Sequence, residues 1–477
     1  MSGRCVNDVL GCPGRNRTTD TRIFNPLLYR LSYQAKRHDY RQPHRALQVS
    51  DATLPKKAFL AAEGVSKQAA IMSRMNPPTT SLPGVHSDVC IVGNGVIAKT
   101  AALGLAQAGY SVALLAPPAG PAADADAAAW DVRVYALNHT AHTLLSALKV
   151  WGALDPARVA PVDTMQVYGD GKDRGDLAFD AFGAHVGPLA WIVEDRNMNQ
   201  ALDAALRFAP KVHVVQGRAA ELTQHVDAAS VRLEDGSVIT SALVVGADGA
   251  QSWVRGQCDI GVDYRPYHQK AVVANFACEK PHHGVAHQWF TGADGIVALL
   301  PLPGERVSLV WSAPDVLADT LMAESLGELA VRLDGYAGAV LGALKPLQPE
   351  IVRAVPLSLV RPHAVVAPHV ALIGDAAHVI HPMAGHGMNL GFADIAQLLQ
   401  ALAAREGQRG IGDARVLARY ARARKEEVLL MQLATDGLER LFSANLEPLR
   451  LARNIGMNVL NKLPLLKRRL MAHALGK

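Results

Sequence analysis

Short apolar runs that end in small residues recur at four places along the chain. They occupy residues 89–92, 112–115, 244–245 and 370–373. Runs of this kind, bounded by turn residues, predict buried β-strands. After the last of them we expect a helix that begins near Asn389, because apolar residues then recur at helical spacing at Ile395, Leu398, Leu399 and Leu402.

A different pattern fills the middle of the chain. Apolar and polar residues alternate within residues 270–278, 295–302 and 306–312, which predicts strands of a second sheet. Residues 413–441 are charged and have a helical period. The pattern therefore predicts an α/β chain with an inserted, mainly β region and a helical C-terminal part.

The first apolar run begins a nucleotide-binding β-α-β pattern. Gly93, Gly95 and Ala98 form a GxGxxA sequence between this strand and a helix. In such a pattern the first glycine makes the tight turn, the second lets a pyrophosphate approach the backbone, and the small third residue permits close helix–sheet packing. The residue after the second strand is usually an acid that binds ribose, but here it is Ala116, so the ribose-binding group stays open.

The most informative stretch, residues 374–390, follows the last apolar run. It combines Asp375 at the strand end, a proline-bearing loop, and Gly385 and Gly387 before a helix start. The carboxylate can accept hydrogen bonds from ligand hydroxyls, the glycines let the backbone approach a flat ligand, and a helix N-terminus favours negative charge. These properties suit a reduced flavin; the alternative is an ordinary strand–loop–helix corner.

A third motif is the pair Asp248-Gly249, which follows the apolar run at residues 244–245. An Asp-Gly pair alone is usually only a turn, and we interpret Asp235-Gly236 as such a hairpin turn. The position of Asp248-Gly249 between the other two motifs favours a role in ligand binding.

In this order and spacing, the three motifs resemble those of the class A flavoprotein aromatic hydroxylases, which have the para-hydroxybenzoate hydroxylase fold. The chain is more specifically similar to the ubiquinone-biosynthesis hydroxylases. That similarity extends from about residue 88 to the C-terminus and includes residues 131–137, 148–151, 192–196, 270–275 and 299–302. It implies a Rossmann-like FAD-binding domain with an inserted, mainly β substrate domain and C-terminal helices.

The resemblance also implies how the chain divides. The FAD-binding domain would be discontinuous and comprise residues 88–165, 197–255 and 360–410. The substrate-binding sheet domain would comprise residues 166–196 and 256–359, and a C-terminal helical region would comprise residues 411–477.

Several cofactor-binding residues are implied by the resemblance. Gly93, Gly95 and Ala98 would hold the FAD pyrophosphate. Arg133 would neutralise phosphate charge, and Arg196 is a weaker candidate for contact with FAD. The alternatives are a surface ion pair for Arg133 and an ordinary surface position on a helix for Arg196.

The other implied residues belong to the later motifs. Asp248 and Gly249 would contact the pyrophosphate region and help NAD(P)H to approach, and Asp375 would bind a ribityl hydroxyl. Pro382 would lie beside the isoalloxazine. The backbone of the following loop would face the pyrimidine edge of the flavin, from Gly385 through Gly387 and Met388 to Asn389.

One residue of the glycine loop departs from the family pattern. His386 stands where relatives usually have Gln. A cationic imidazole there would stabilise the reduced flavin anion; alternatively, His386 points away and only its backbone takes part. The second interpretation is favoured, because glycine loops bind mostly through main-chain groups.

The implied reaction is hydroxylation of an aromatic ring, with NAD(P)H as the reductant of FAD and O2 as the oxygen donor. The implied substrate is a polyprenylated phenol or quinol precursor of ubiquinone. No side chain is predicted to be catalytic, because the loop geometry explains His378 and His381 equally well. Two alternatives stay open: a hydroxylase of another phenol, and a flavin-binding scaffold subunit that has lost turnover, which Ala116 and His386 keep in consideration.

The formal charge of the 477-residue chain is +5, but this excess lies at the N-terminus. Residues 1–75 hold 13 Lys and Arg against 5 Asp and Glu, whereas the remaining 402 residues hold 35 against 38. A nucleic-acid partner is therefore not implied. We interpret residues 1–71 or 1–74 as a miscalled extension, with translation starting at Met72 or Met75, respectively; a disordered tail and an Arg-rich presequence are the alternatives.

Cysteine and histidine spacing gives no indication of a metal or disulfide site. The five cysteines include no CxxC pair, which favours a reducing compartment, and the two HxxH pairs lack a third ligand of clear spacing. Hence we predict no metal and a cytoplasmic protein.

The last residues are basic and amphipathic. Residues 457–477 place leucines beside Lys and Arg. Such a segment predicts peripheral contact with the inner membrane face, or with a ubiquinone-biosynthesis complex; a closing helix packed on the FAD-binding domain is the favoured alternative.

Overall fold

The computed structural model describes residues 84–118, 129–171, 174–184, 186–347, 350–443 and 447–463. The predicted N-terminal extension, with both candidate start sites, lies outside the described residues. So does the end of the basic C-terminal segment, residues 464–477.

Eight strands form the first sheet: β1 (Val85–Val92), β2 (Val112–Ala116), β8 (Val212–Gln216), β9 (Ala219–Gln224), β10 (Ala229–Leu233), β11 (Val238–Gly246), β18 (Val366–Ala367) and β19 (Val370–Leu372). Their order is β18-β19-β11-β1-β2-β8, with β10 and β9 as an antiparallel extension of β11. The five strands from β19 to β8 are parallel. The four apolar runs lie in β1, β2, β11 and β19, whose interior positions are buried as expected of parallel strands covered on both faces.

The register of this sheet brings the sequence motifs together. Val92 of β1 pairs with Leu115 of β2 on one side and with Gly246 of β11 on the other. Gly246 in turn pairs with Leu372 of β19. Because these four strand ends are level, the segments that follow them meet at the same edge of the sheet, which is where open α/β sheets bind ligands.

The second sheet is large and mostly antiparallel. It contains β5 (Thr164–Tyr168), β6 (Asp176–Asp180), β12 (Val262–Cys278), β13 (Val285–Phe290), β14 (Ile296–Leu302), β15 (Arg306–Pro314), β16 (Leu344–Pro346) and β17 (Arg353–Pro362). Its order is β16-β12-β15-β14-β13-β5-β6, with β17 also paired to β12. A third, three-stranded sheet has the order β3-β7-β4 and comprises, in chain order, β3 (Val134–Leu137), β4 (Val159–Val162) and β7 (Ala190–Glu194).

Ten α-helices occur among the described residues: α1 (Val96–Gln107), α2 (His139–Ala147), α3 (Ala181–Ala184), α4 (Asp195–Arg207), α5 (Trp253–Gln257), α6 (Asp315–Ala323), α7 (Leu326–Leu341), α8 (His386–Ala403), α9 (Ala414–Ser443) and α10 (Glu447–Asn461). Helices α1, α2, α4, α8 and the start of α9 share one apolar core with the first sheet. Helices α6 and α7 cover one face of the second sheet.

Two details differ from the sequence-based picture. Helix α8 begins at His386 rather than near Asn389, because Gly385 adopts a left-handed conformation (φ 67°) that ends the loop and serves as the N-cap. Within residues 166–196, β6 and most of β5 belong to the second sheet, whereas β7 pairs with β3 and β4.

Candidate functional site

A cavity of about 2550 Å³ opens at the level strand ends of the first sheet and continues beneath the second sheet. Small-molecule sites usually measure about 300–1,000 Å³, so this cavity has room for a dinucleotide and a further ligand. All but two of the predicted cofactor-binding residues line it: Gly93, Gly95, Arg133, Asp248, Gly249, Asp375, Pro382, Gly385, Gly387, Met388 and Asn389.

The two other predicted residues lie away from the cavity lining. Ala98 is fully buried in the core between α1 and the sheet. That position matches the packing role of the third residue in the GxGxxA pattern. Arg196 donates from Nη1 to the carbonyl oxygen of Ala129 (3.2 Å), and its backbone N–H donates to Asp131 (3.2 Å).

The two glycines of each pair have different roles, and these roles are the same in both pairs. A Cβ on Gly93 (φ 132°) would collide with the Ala247 carbonyl, and a Cβ on Gly385 would lie 3.0 Å from the Ala136 side chain. In contrast, a Cβ on Gly95 or Gly387 would meet nothing within 4 Å. The first glycine of each pair thus permits a close contact within the protein, and the second leaves backbone accessible from the cavity.

The Asp248 carboxylate is hydrogen-bonded to residues that follow it closely in the chain. One oxygen accepts a hydrogen bond from the Ser252 hydroxyl (2.6 Å), and the other accepts one from the Val254 backbone N–H (3.0 Å). Both donors lie at the N-terminal end of α5, where backbone N–H groups lack helical partners. The Asp-Gly motif therefore holds its loop through Asp248, and Gly249 (φ 85°) lines the cavity beside it.

An arginine that the sequence motifs did not indicate ties two of the loops together. The buried side chain of Arg255 donates to the Ala376 carbonyl (3.0 Å) and to the Ala250 carbonyl (2.8 Å). It thereby connects the Asp248-Gly249 loop to the loop that carries Asp375.

Asp375 lies in a 3₁₀ turn, Gly374–Ala376, at the end of β19. Part of its side chain is exposed to the open cavity, yet protein surrounds it on most sides. That enclosure raises the pKa of the Asp375 carboxyl group, an effect that His378 and Arg133 partly offset. Because part of the side chain faces the cavity, the Asp375 carboxyl group is available to a ligand hydroxyl.

A buried carboxylate behind this turn was also missed. Asp394 of α8 accepts hydrogen bonds from the Gly374 N–H (2.8 Å) and from Nε of Arg424 (2.6 Å). Nε2 of His378 lies 2.7 Å from the same carboxylate. Burial alone would raise the pKa of Asp394, but His378 and Arg424 outweigh it and lower the pKa. This ion-pair cluster stabilises the turn, and the role of His378 within it is structural.

The Asn389 side chain is likewise occupied within the protein. Its oxygen accepts from the Asn138 N–H (2.9 Å), and its amide donates to the carbonyls of Ala136 (2.8 Å) and Gly385 (3.1 Å). It therefore anchors the glycine loop to the end of β3. His386 lines the cavity as the first residue of α8.

Arg133 lies in a polar part of the cavity wall, together with Tyr135, Asp195 and Asn199. The Tyr135 hydroxyl donates to Asp195 (2.6 Å), which also accepts from the Asn199 amide (3.0 Å). Burial raises the pKa of Tyr135, as does Asp195, whereas Arg133 lowers it. Arg133 thus adds positive potential to the part of the cavity that Tyr135 and Asp375 also line.

At the end of β2, the position of the missing ribose acid is occupied by buried Ala116. The Gly217 N–H donates to its carbonyl (2.9 Å), and the Glu234 N–H donates to the carbonyl of the next residue, Arg218 (2.9 Å). Both Arg218 and Glu234 line the cavity. A carboxylate from the β10–β11 turn therefore lies near the place where the usual acid is absent.

The other end of the cavity is a chamber with mostly apolar walls. One wall is the second sheet, and the opposite side comes from α9 and α10. Its apolar lining includes Met165, Leu177, Phe290, Ala298, Leu438, Phe442, Met457 and Leu460.

The chain matches a family model described as FAD binding domain over residues 86–431. The 3-demethoxyubiquinol 3-hydroxylase of Escherichia coli is 36% identical over 399 residues, which cover 82% of this chain and 98% of that protein. The ubiquinone hydroxylase UbiL of Rhodospirillum rubrum is 35% identical over 402 residues, 84% of this chain and 92% of that protein. PqsL from Pseudomonas aeruginosa, a probable FAD-dependent monooxygenase of known structure, has a TM-score of 0.64 at 24% identity and covers 78% of this chain and 100% of its own, which supports the fold.

These matches confirm the predicted fold class, family and cofactor. The geometry agrees with them, because glycine backbone, Arg133 and Asp375 converge on a cavity large enough for FAD. The chain belongs to the family of FAD-dependent hydroxylases that includes the ubiquinone hydroxylases.

Proposed function

We propose that this protein hydroxylates the aromatic ring of a polyprenylated ubiquinone precursor, with NAD(P)H and O2 as co-substrates. The observation that carries the proposal is the single cavity that joins the nucleotide-binding motifs to an apolar chamber. Apolar walls favour a ring with a long hydrocarbon tail, because burial of that tail releases it from water. The relatives at 35–36% identity bear the names of ubiquinol and ubiquinone hydroxylases.

The same cavity supports a placement of FAD along the sheet edge. In the proposed placement the pyrophosphate meets Gly95 and the N-terminus of α1, with Arg133 nearby and Ala98 supporting the helix from behind. Asp375 accepts a hydrogen bond from the ribityl chain, and Glu234 accepts one from the adenosine in place of an acid at Ala116. The flavin ring lies beside Pro382, against the backbone at Gly387 and Met388.

In this placement the protein has two further roles: its chamber binds the ring away from water, and its buried polar side chains hold the loops in shape. FAD, when bound, supplies electron transfer from NAD(P)H and the activation of O2. The apolar chamber binds the ring and keeps water away, which limits the loss of reducing equivalents as hydrogen peroxide. The side chains of Asp248, Asn389 and Asp394 hold the loops in shape, and a role for Arg196 through its contact with Ala129 is indirect.

We also propose that the protein contacts a membrane surface through α9 and α10. No helix among the described residues has the length and apolarity needed to cross a bilayer. However, both helices expose apolar side chains beside those that line the chamber. A tailed substrate could then pass from the lipid into the chamber without crossing water.

The test combines purified protein with cells that lack it. We expect bound FAD, oxidation of NAD(P)H stimulated by a prenylated phenol, and accumulation in the deletion cells of a polyprenylated precursor that lacks a ring oxygen. Bound FAD without NAD(P)H oxidation by any phenol would indicate the scaffold alternative. Stimulation by short phenols alone would indicate a different substrate class, and protein without flavin would contradict the proposal altogether.

A further inference from the structure

The chamber wall formed by β13, β14 and β15 carries two polar side chains in an apolar setting. Strand alternation separates its two faces: Trp289, Leu299 and Trp311 pack under α6 and α7, whereas their neighbours line the chamber. Gln288 and Ser312 are on the chamber side. Only 6% of Gln288 and 5% of Ser312 is exposed.

Within the part of the chain that the structure describes, no hydrogen bond joins the Gln288 amide or the Ser312 hydroxyl to another residue, and both side chains face the chamber. Two buried polar side chains nearby do have a partner: the Trp311 indole donates to the Asp294 carbonyl (2.8 Å), and the Thr435 hydroxyl donates to the Met431 carbonyl (2.9 Å). The Ser308 hydroxyl, further along β15, has none among the described residues. Buried polar groups are nearly always bonded, because an unmet group in an apolar site costs about 1–3 kcal/mol. An amide and a hydroxyl that face a chamber therefore indicate a ligand with polar atoms at that point.

The strand register sets the spacing of the two groups. Gln288 pairs with Ala298, which pairs with Val310, and Ser312 lies two residues further along β15. Two strand spacings and two residues separate the backbones by roughly 12 Å. The wall between them is apolar, with Ala298 and Ile296 among its residues. A flat ring fits against this wall, with oxygen substituents directed towards the amide at one side and the hydroxyl at the other.

We propose that Gln288 and Ser312 hold the ring oxygens of the substrate and thereby fix the orientation of the ring in the chamber. This inference rests on the proposed function, since it requires an oxygen-bearing aromatic substrate. The Gln288 amide can donate or accept and the Ser312 hydroxyl can do both, so the pair suits hydroxyl, methoxy or carbonyl groups. The two residues are specificity determinants: they select rings with polar substituents, while the apolar lining receives the tail.

The test uses two probes that differ only in the ring oxygen, 2-geranylphenol and geranylbenzene, with holoenzyme carrying Gln288→Leu or Ser312→Ala. The change at the residue that meets its single hydroxyl is expected to weaken binding of 2-geranylphenol about five- to tenfold, and neither change should alter binding of geranylbenzene, measured by perturbation of the flavin spectrum. The thermal midpoint should not fall, because neither change removes a hydrogen bond within the described residues. Hydroxylation of 2-geranylphenol should also become less selective among ring carbons. Gln400→Leu, at an exposed position of α8, is the matched control.

A purely structural role predicts the opposite result. A lower thermal midpoint with equal weakening of both probes, or no change for either probe in both variants, would overturn the inference. Wild-type turnover of 2-geranylphenol would still leave the proposed function standing. If the wild-type holoenzyme neither binds nor hydroxylates 2-geranylphenol, the proposed substrate class fails, and this inference fails with it.

Discussion

The acidic residues of the two Asp motifs have different partners although both follow a strand end. Asp248 satisfies both oxygens with donors at the start of α5, whereas Asp375 is exposed to the cavity. A short side chain next to a helix start is well placed to cap it, and this local geometry leaves Asp248 little capacity for a ligand. Of the two, Asp375 is therefore the better candidate for a direct contact with FAD.

Glu234 carries a prediction at the same scale. Glu234→Gln should weaken FAD binding by about tenfold, because a charged acceptor near the adenosine is replaced by a neutral one. FMN lacks the adenosine, so its affinity should be unchanged. Fluorescence titration of the deflavinated protein with each flavin gives both constants.

Glu426→Gln, at an exposed site on α9, is the control for this experiment. Equal weakening for FAD and FMN, or no effect on FAD, would show that Glu234 does not contact the adenosine.

At the scale of elements, the two glycine loops have the same arrangement of their two glycines. In each, the first glycine has positive φ and lies against another loop or strand, and the second has open space where a side chain would be. A loop so built can approach a neighbouring segment and a ligand at once, since neither approach is blocked by a Cβ.

Substitutions in the GxGxxA turn test the separate roles of the two glycines. Gly93→Ala should lower the stability of the flavin-free protein by about 2–4 kcal/mol, because its Cβ would collide with the Ala247 carbonyl at an unfavourable φ. Gly95→Ala should change that stability by less than about 0.5 kcal/mol, since its backbone is extended (φ −80°) and its surroundings are open. However, it should reduce FAD affinity. Denaturant unfolding and flavin titration measure the two effects; similar behaviour of both variants would contradict the division of roles.

At the scale of the whole molecule, the chamber and the exposed surface of the C-terminal helices are neighbours. Leu451, Ile455 and Val459 recur every four residues on α10 and are about half exposed, which makes an apolar stripe. The residue that follows each of these lines the cavity: Ala452, Gly456 and Leu460. One helix thus has a face towards the chamber and an apolar stripe towards the outside.

This arrangement predicts vesicle binding. Replacing Leu451, Ile455 and Val459 together by Ser should abolish sedimentation with vesicles that contain phosphatidylglycerol, because the apolar area available for insertion is lost. Turnover of a detergent-dispersed substrate should persist. The matched control replaces three exposed valines on α6 and α7, Val316, Val331 and Val340, by Ser. Equal sedimentation of the stripe variant and the wild type would contradict membrane contact through α10.

The sequence by itself determined the features that depend on local backbone chemistry. Apolar runs predicted the strands β1, β2, β11 and β19, and glycine spacing marked the loops that follow two of them. Such patterns are readable because a buried strand or a positive φ restricts the residue at that position directly. The order of the motifs was also enough for the family resemblance and hence for the cofactor.

Only the tertiary structure decided which side chains act across the site. Asp394, Arg255, Glu234, Gln288 and Ser312 have no local signature, since each depends on segments far away in the chain. Backbone hydrogen bonds from Gly217 to Ala116 and from Glu234 to Arg218 bring Glu234 near Ala116. The alternation of β13 and β15 turns Gln288 and Ser312 into the chamber. Contacts of this kind arise from strand pairing and packing between distant residues, and no local sequence pattern encodes them.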